Sequence, residues 1–129
     1  MAPKEVFADR EHHYSGAPAW VIYRALTDAR GSWLRLHPGE VVPTLVEAVP
    51  NQRVVWSSLW PVSPHDTIEL TLTEDRGSTT LRFVWLSSTP PDDRGIGVTR
   101  QRLNTKLGGD IRGWLTTEEA WAPLEGDQG

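Results

Sequence analysis

The segment Thr67-Ile68-Glu69-Leu70-Thr71-Leu72-Thr73 alternates strictly between polar and apolar residues, and Thr80-Leu81-Arg82-Phe83-Val84-Trp85-Leu86 follows it after a turn-rich gap. A period of two belongs to a strand with one face on a core and the other on water. The register follows from requiring the apolar sets to share a face, because a slip of one residue buries Thr71 and Thr73 instead. Leu72 then faces Leu81, Leu70 faces Phe83, and Ile68 faces Trp85. Arg76-Gly77 is left as a two-residue hairpin loop, in which Gly77 supplies a positive φ.

The rest of the chain is read around this hairpin. Residues 5–14, with Val6, Phe7, Ala8 and Tyr14, form an edge-like first strand. Ser15-Gly16-Ala17-Pro18 starts a helix, since Pro suits the first helical position, and Val21, Ile22, Ala25 and Leu26 make its apolar stripe. Thr27-Asp28 caps a second helical turn carrying Trp33, Leu34 and Leu36, which Pro38-Gly39 ends. An earlier hairpin joins Thr44–Val49 to Arg53–Trp60. Val46 opposite Trp56 and Ala48 opposite Val54 make one coherent face with Ser58 and Trp60. Leu45, Val49, Val55 and Leu59 point the other way, so both faces read as covered.

Pro90-Pro91 stops the last strand, and Asp92 or Asp93 caps a final helix. Leu103, Leu107, Ile111 and Leu115 recur every four residues beside Trp114, while Arg100, Arg102, Lys106 and Arg112 are assigned to solvent. Gly108-Gly109 costs roughly 1 kcal/mol per glycine in mid-helix. The pair therefore marks a kink or a close approach of another group. The whole of 1–129 reads as one domain with a flexible tail over 122–129.

With no cysteine in the chain, neither disulfides nor thiolate metal sites arise. No run of about 18 apolar residues is present to span a membrane. A net charge of −4, well mixed, does not suggest nucleic-acid binding. Charged residues near the N-terminus break up any signal-peptide core, so a cytoplasmic location is expected. His12 and His13 alternate across a strand, and His37 and His65 sit in loops, which gives no metal-ligand spacing. There is no G-x-S-x-G, and Gly95-Ile96-Gly97 lacks the lysine of a phosphate loop. No cofactor and no metal are expected, and no catalytic residue can be named.

The order of elements and the local wording together resemble the START-like, or SRPBCC, superfamily. Ser15 to Asp28, S-G-A-P-A-W-V-I-Y-R-A-L-T-D, is similar to the family's opening stretch, and Trp33 stands near its usual tryptophan. Val46 to Trp56, V-E-A-V-P-N-Q-R-V-V-W, is similar to its "P-x-x-R-V-V-W" hairpin. The nearest branches in tone are polyketide cyclase/dehydrase and the homologues of the heat-shock protein 90 ATPase activator. The resemblance implies an α+β helix-grip fold: a curved antiparallel sheet of five to six strands, two short helices, and a long C-terminal helix over the sheet. Those relatives place an extra strand or hairpin where this chain has only Leu34 to Pro43. The sheet is expected to be shortened, with an open edge that a second copy could cover.

In such a fold the face of Leu70, Phe83 and Trp85 meets Leu103, Leu107 and Ile111 of the helix. Trp33, Trp56 and Trp60 stand at the mouth of any gap, and Tyr14, with His12, is placed to orient a ligand. The chain has seven tryptophans, and these flat side chains either fill a core or wall a pocket. The function expected is binding or carrying a small apolar molecule, lipid-like or polyketide-like. A cyclase- or dehydratase-type enzyme and a co-chaperone-type interaction module are the alternatives.

Overall fold

The computed structural model describes residues 3–122, so all but the first residue of the expected tail lies outside the described residues. Five strands form one antiparallel sheet: β1 (Glu5–Tyr14), β2 (Leu45–Val49), β3 (Arg53–Ser57), β4 (Thr67–Asp75) and β5 (Ser78–Ser87). Their order is β1-β5-β4-β3-β2, so β1 and β2 are the two edges. Helices α1 (Ala19–Leu26) and α2 (Arg30–Trp33) connect β1 to β2. The C-terminal helix is built from α3 (Asp93–Thr105), a wide π-turn (Lys106–Asp110) and α4 (Ile111–Trp114), and a short 3-10 turn (Glu119–Trp121) follows. This is an α+β helix-grip architecture.

The β4–β5 register is the one that alternation dictates: Leu72 pairs with Leu81, Leu70 with Phe83, and Ile68 with Trp85. Asp75 pairs with Ser78, and both loop residues take positive φ, 54° at Arg76 and 78° at Gly77. That is the backbone a two-residue hairpin needs to match strand twist. In the β2–β3 hairpin Ala48 pairs with Val54 as expected, but Leu45, not Val46, lies opposite Trp56. A bulge between Leu45 and Glu47 makes the shift, and β1 has its own between Val6 and Ala8. Bulges on edge strands interrupt a free ladder and discourage indiscriminate pairing. β3 stops at Ser57 rather than Trp60, and β2 is exposed along its whole length instead of covered on both faces.

Helix α1 shows why two tryptophans sit in the interior. The last four carbonyls of a helix have no partner within it. Here Thr27 N–H donates to Tyr23 O, Ala29 N–H to Arg24 O, Trp33 Nε1 to Ala25 O at 2.7 Å, and Trp56 Nε1 to Leu26 O at 2.8 Å. Trp33 and Trp56 are both buried, so their indoles cap the helix while their rings fill the core. Thr27 lies past the end of α1 and donates its hydroxyl back to Tyr23 O; it does not cap α2, whose N-cap is Ala29.

The C-terminal helix is started by Asp92, whose carboxylate accepts from Gly95 N–H at 2.8 Å. Leu103, Leu107, Ile111 and Trp114 are buried, and Leu115 is half-buried. Steps of four residues overshoot a 3.6-residue turn by roughly 40° each, so the stripe would drift off the sheet. The π-turn at Lys106–Asp110 takes up that drift, and Gly108-Gly109 lies inside it. A methyl group on Gly108 would stand 3.2 Å from His12 Cε1, so the glycine admits the close approach of β1. Replacing Gly77 by Ala should lower the unfolding free energy by about 1 kcal/mol, because a Cβ is strained at that φ. Arg76→Gly should not destabilise the protein. Urea titrations with unchanged slopes test both, and equal midpoints for Gly77→Ala and wild type would show that the turn is not what sets the register.

Candidate functional site

Where β5 gives way to Pro90-Pro91, the first turns of α3 stand away from the sheet across from the loop Trp60–Asp66. The space between them is a cavity of about 520 Å³. Trp60 and Trp85 form one wall, their ring centroids 5.7 Å apart and their planes inclined at 57°, and Phe7 backs Trp85 at 5.7 Å. The helix supplies Arg94, Val98, Thr99 and Arg102, and the loop supplies Val62, Ser63 and Asp66.

The loop holds its shape through consecutive turns and a buried carboxylate. Ser63 N–H donates to Trp60 O at 2.9 Å, and Asp66 N–H to Ser63 O at 3.2 Å. Asp66 is buried, and each oxygen has its own donor: Ser63 Oγ at 3.0 Å and Trp85 Nε1 at 3.0 Å. Held by Ser63 on one oxygen, the carboxyl group fixes the Trp85 ring through the other.

Trp60 is fixed the same way from the other side. Its Nε1 donates to Glu40 Oε2 at 3.0 Å, while Glu40 Oε1 accepts from His37 N–H at 2.7 Å. Lys106 Nζ meets the same Oε1 at 3.0 Å, with both side chains almost wholly buried. The expectation that Lys106 faces solvent is therefore wrong. Lys106 is only 1% exposed, and Leu34 to Pro43, which contains no strand, brings Glu40 to it. The contact is a close ion pair off the line of a good hydrogen bond, which leaves the ammonium hydrogens without a well-directed acceptor among the described residues. Burial pushes the Glu40 carboxyl up, but the hydrogen bonds from His37 and Trp60 and the close ammonium of Lys106 together hold it below the usual carboxylate range.

Farther along the helix the interior is filled. Tyr14 is buried and its hydroxyl donates to Leu107 O in the π-turn; burial raises its pKa, which keeps the phenol protonated and able to donate. His12 Nε2 lies 3.2 Å from Asn104 Oδ1, its ring stacks on Phe83, and burial lowers its pKa. Of the residues expected to line a cavity, Trp60 and Trp85 line this one, and Trp33 borders a second of about 560 Å³ between α2 and α4. Tyr14, Trp33, Trp56, Leu70, Phe83, Leu103, Leu107 and Ile111 pack against one another in the core cluster, to which Trp85 also belongs. Sequence reasoning missed Ser63 and Asp66, which lay in a stretch read only as a proline loop. It also missed Arg94, Arg102 and Lys106, although their four- and eight-residue spacings place them on one stripe of the helix.

No protein-family model matches the chain, and no curated protein matches it in sequence. Solved structures match well in shape. CalU16 from Micromonospora echinospora aligns over 88% of this chain and 84% of its own, at 20% identity and a TM-score of 0.61. The Aha1 dimer from Colwellia psychrerythraea aligns over 95% and 99%, at 20% identity and 0.61. An HSP90 activator from Plasmodium falciparum aligns over 84% and 95%, at 19% identity and 0.58. At these identities the likeness speaks to architecture alone: the chain shares the helix-grip fold of these structures.

Removing one partner of a buried pair strands the other charge. Lys106→Met should therefore cost about 3 kcal/mol in urea unfolding, and Lys106→Met with Glu40→Gln should recover most of it. Because the folded Glu40 pKa is depressed, its contribution is complete above the unfolded carboxyl pKa. It is lost as pH falls through the folded value. The acid side of the stability profile should be steeper in wild type than in Glu40→Gln; parallel profiles would contradict the assignment.

Proposed function

We propose that this chain binds or carries a small apolar molecule in the cavity between the Trp60–Asp66 loop and the start of α3. The observation that carries the reading is the wall of that cavity. Trp60 and Trp85 both line it, and each indole N–H is already donated, to Glu40 and Asp66 respectively. With its polar atom engaged, the half-buried Trp60 offers a ligand apolar surface, and Trp85, only 1% exposed, backs that wall from the core. The volume of about 520 Å³ suits a small organic molecule. A cyclase or dehydratase needs a side chain placed to move a proton. Both carboxylates bonded to these rings are committed to internal donors, so binding without turnover is the reading these contacts favour.

A second reading, self-association, has its own support. Val41, Val42, Leu45, Val46 and Val49 are exposed along the β2 edge and the segment leading into it. Val41 N–H donates to Leu59 O and Ser57 N–H to Thr44 O, so this strip runs along the outer side of β3. A contiguous apolar strip on an edge is a surface that association would cover. A second copy is the simplest occupant, since a two-fold contact uses the same patch twice. One solved structure of this fold is itself described as a dimer.

Titration with an apolar library should change the tryptophan fluorescence of wild type. Val98→Trp, which fills the cavity from its helical wall, should weaken binding by roughly tenfold or more while leaving the melting temperature within a few degrees. Undiminished affinity in Val98→Trp would place the ligand elsewhere. For self-association, sedimentation at high concentration should show a dimer that Val46→Lys converts to monomer; wild type that remains monomeric removes this second reading.

A further inference from the structure

The helical wall of the cavity carries two guanidiniums, Arg94 and Arg102, in a lining that Asp66 and Asp92 make neutral as a whole. Arg94, Val98 and Arg102 stand four residues apart on α3, so they share a stripe, and all three line the cavity. Lys106 is the next residue on that stripe, and Glu40 neutralises it. Two carboxylates line the cavity as well, but both are engaged. Asp66 accepts from Ser63 and Trp85, and Asp92 accepts from Gly95 N–H at the helix start. Among the described residues neither Arg94 nor Arg102 has an ion-pair partner. Arg102 is half-buried and Arg94 exposed, and both line the cavity together with Trp60.

A guanidinium presents a planar fork of donors that matches a carboxylate or a similar oxyanion, and it remains charged throughout the physiological range. Two of them on one wall of a concave site offer an anion paired donors that no carboxylate of the described residues occupies. We infer that the ligand of this cavity is an amphipathic organic anion, whose apolar body rests on Trp60 and Val98 and whose acidic group lies against Arg102 and Arg94. The inference rests on the cavity being the binding site and adds the chemical class of what enters it. A neutral lipid or hydrocarbon would leave both guanidiniums unused and would give up part of their hydration.

A matched pair of fluorescent probes separates the two levels. 1-Anilinonaphthalene-8-sulfonate and N-phenyl-1-naphthylamine share an aromatic body and differ by one sulfonate. Wild type at low salt should bind the sulfonate about five- to tenfold more tightly, and 0.5 M NaCl should narrow that gap, because the charges are partly exposed to screening. Arg94→Gln with Arg102→Gln should abolish the gap while leaving the neutral probe's affinity unchanged, which also reports that the cavity is still folded. Arg35→Gln, an exposed cation that does not line the cavity, should leave the gap intact. Equal affinities in wild type, or a gap that survives the double substitution, overturns the anion assignment and leaves the cavity reading standing. Failure of both probes to bind overturns both.

Discussion

The π-turn at Lys106–Asp110 is the constraint on which the rest of the arrangement depends. An α-helix with apolar residues every four positions cannot keep them on a sheet, and one wider turn resets the phase. The reset puts Leu107, Ile111 and Trp114 into the core. The Leu107 carbonyl in the turn accepts the Tyr14 hydroxyl, which ties the middle of the helix to the first strand. Burial raises the pKa of that phenol, which keeps it protonated and able to donate. Gly108 gives the turn the room it needs, because His12 passes where a side chain there would stand.

From this turn the helix divides into two working halves. Toward its end it is apolar and sealed against the sheet. Toward its start it carries Arg94 and Arg102, and there it lines a cavity rather than closing one. Lys106 is the border between the two. A buried ammonium is costly unless it is paired, and Glu40 pairs with it. The same carboxylate holds the indole of Trp60, so the pair that makes the border tolerable also orients one wall of the cavity. Asp66 does the equivalent for Trp85. Both walls are thus positioned by buried carboxylates, each supplied from an irregular connection and not from a strand.

What could be read in advance follows from this division. The β4–β5 hairpin was fully legible, because alternation and a glycine turn leave one register that buries a consistent face. The β2–β3 hairpin was half legible: Ala48 opposite Val54 survives, but the bulge that seats Leu45 opposite Trp56 has no signature in a pattern apolar on both faces. Gly108-Gly109 announced a break without saying that it would be a widened turn rather than a kink. Lys106 was misplaced because its charge argues for solvent, although it stands three residues after the buried Leu103 and so beside it on the same face. Trp33 and Trp56 were read as wall material, and their role as caps for Ala25 and Leu26 could not be seen, since it joins groups far apart in sequence. Glu40 and Asp66 lay in segments whose prolines and glycines identify loops but say nothing about which polar group turns inward.

The central claim is that the Glu40–Lys106 pair and the wall of the cavity form one connected unit through Trp60. The indole N–H resonance of Trp60, followed by nuclear magnetic resonance through an acid titration, tests this directly. It should shift with a midpoint below the usual carboxylate range, as Glu40 takes up its proton, and that transition should be absent in Glu40→Gln. A resonance that does not move before the protein unfolds, or that moves identically in Glu40→Gln, would contradict the account.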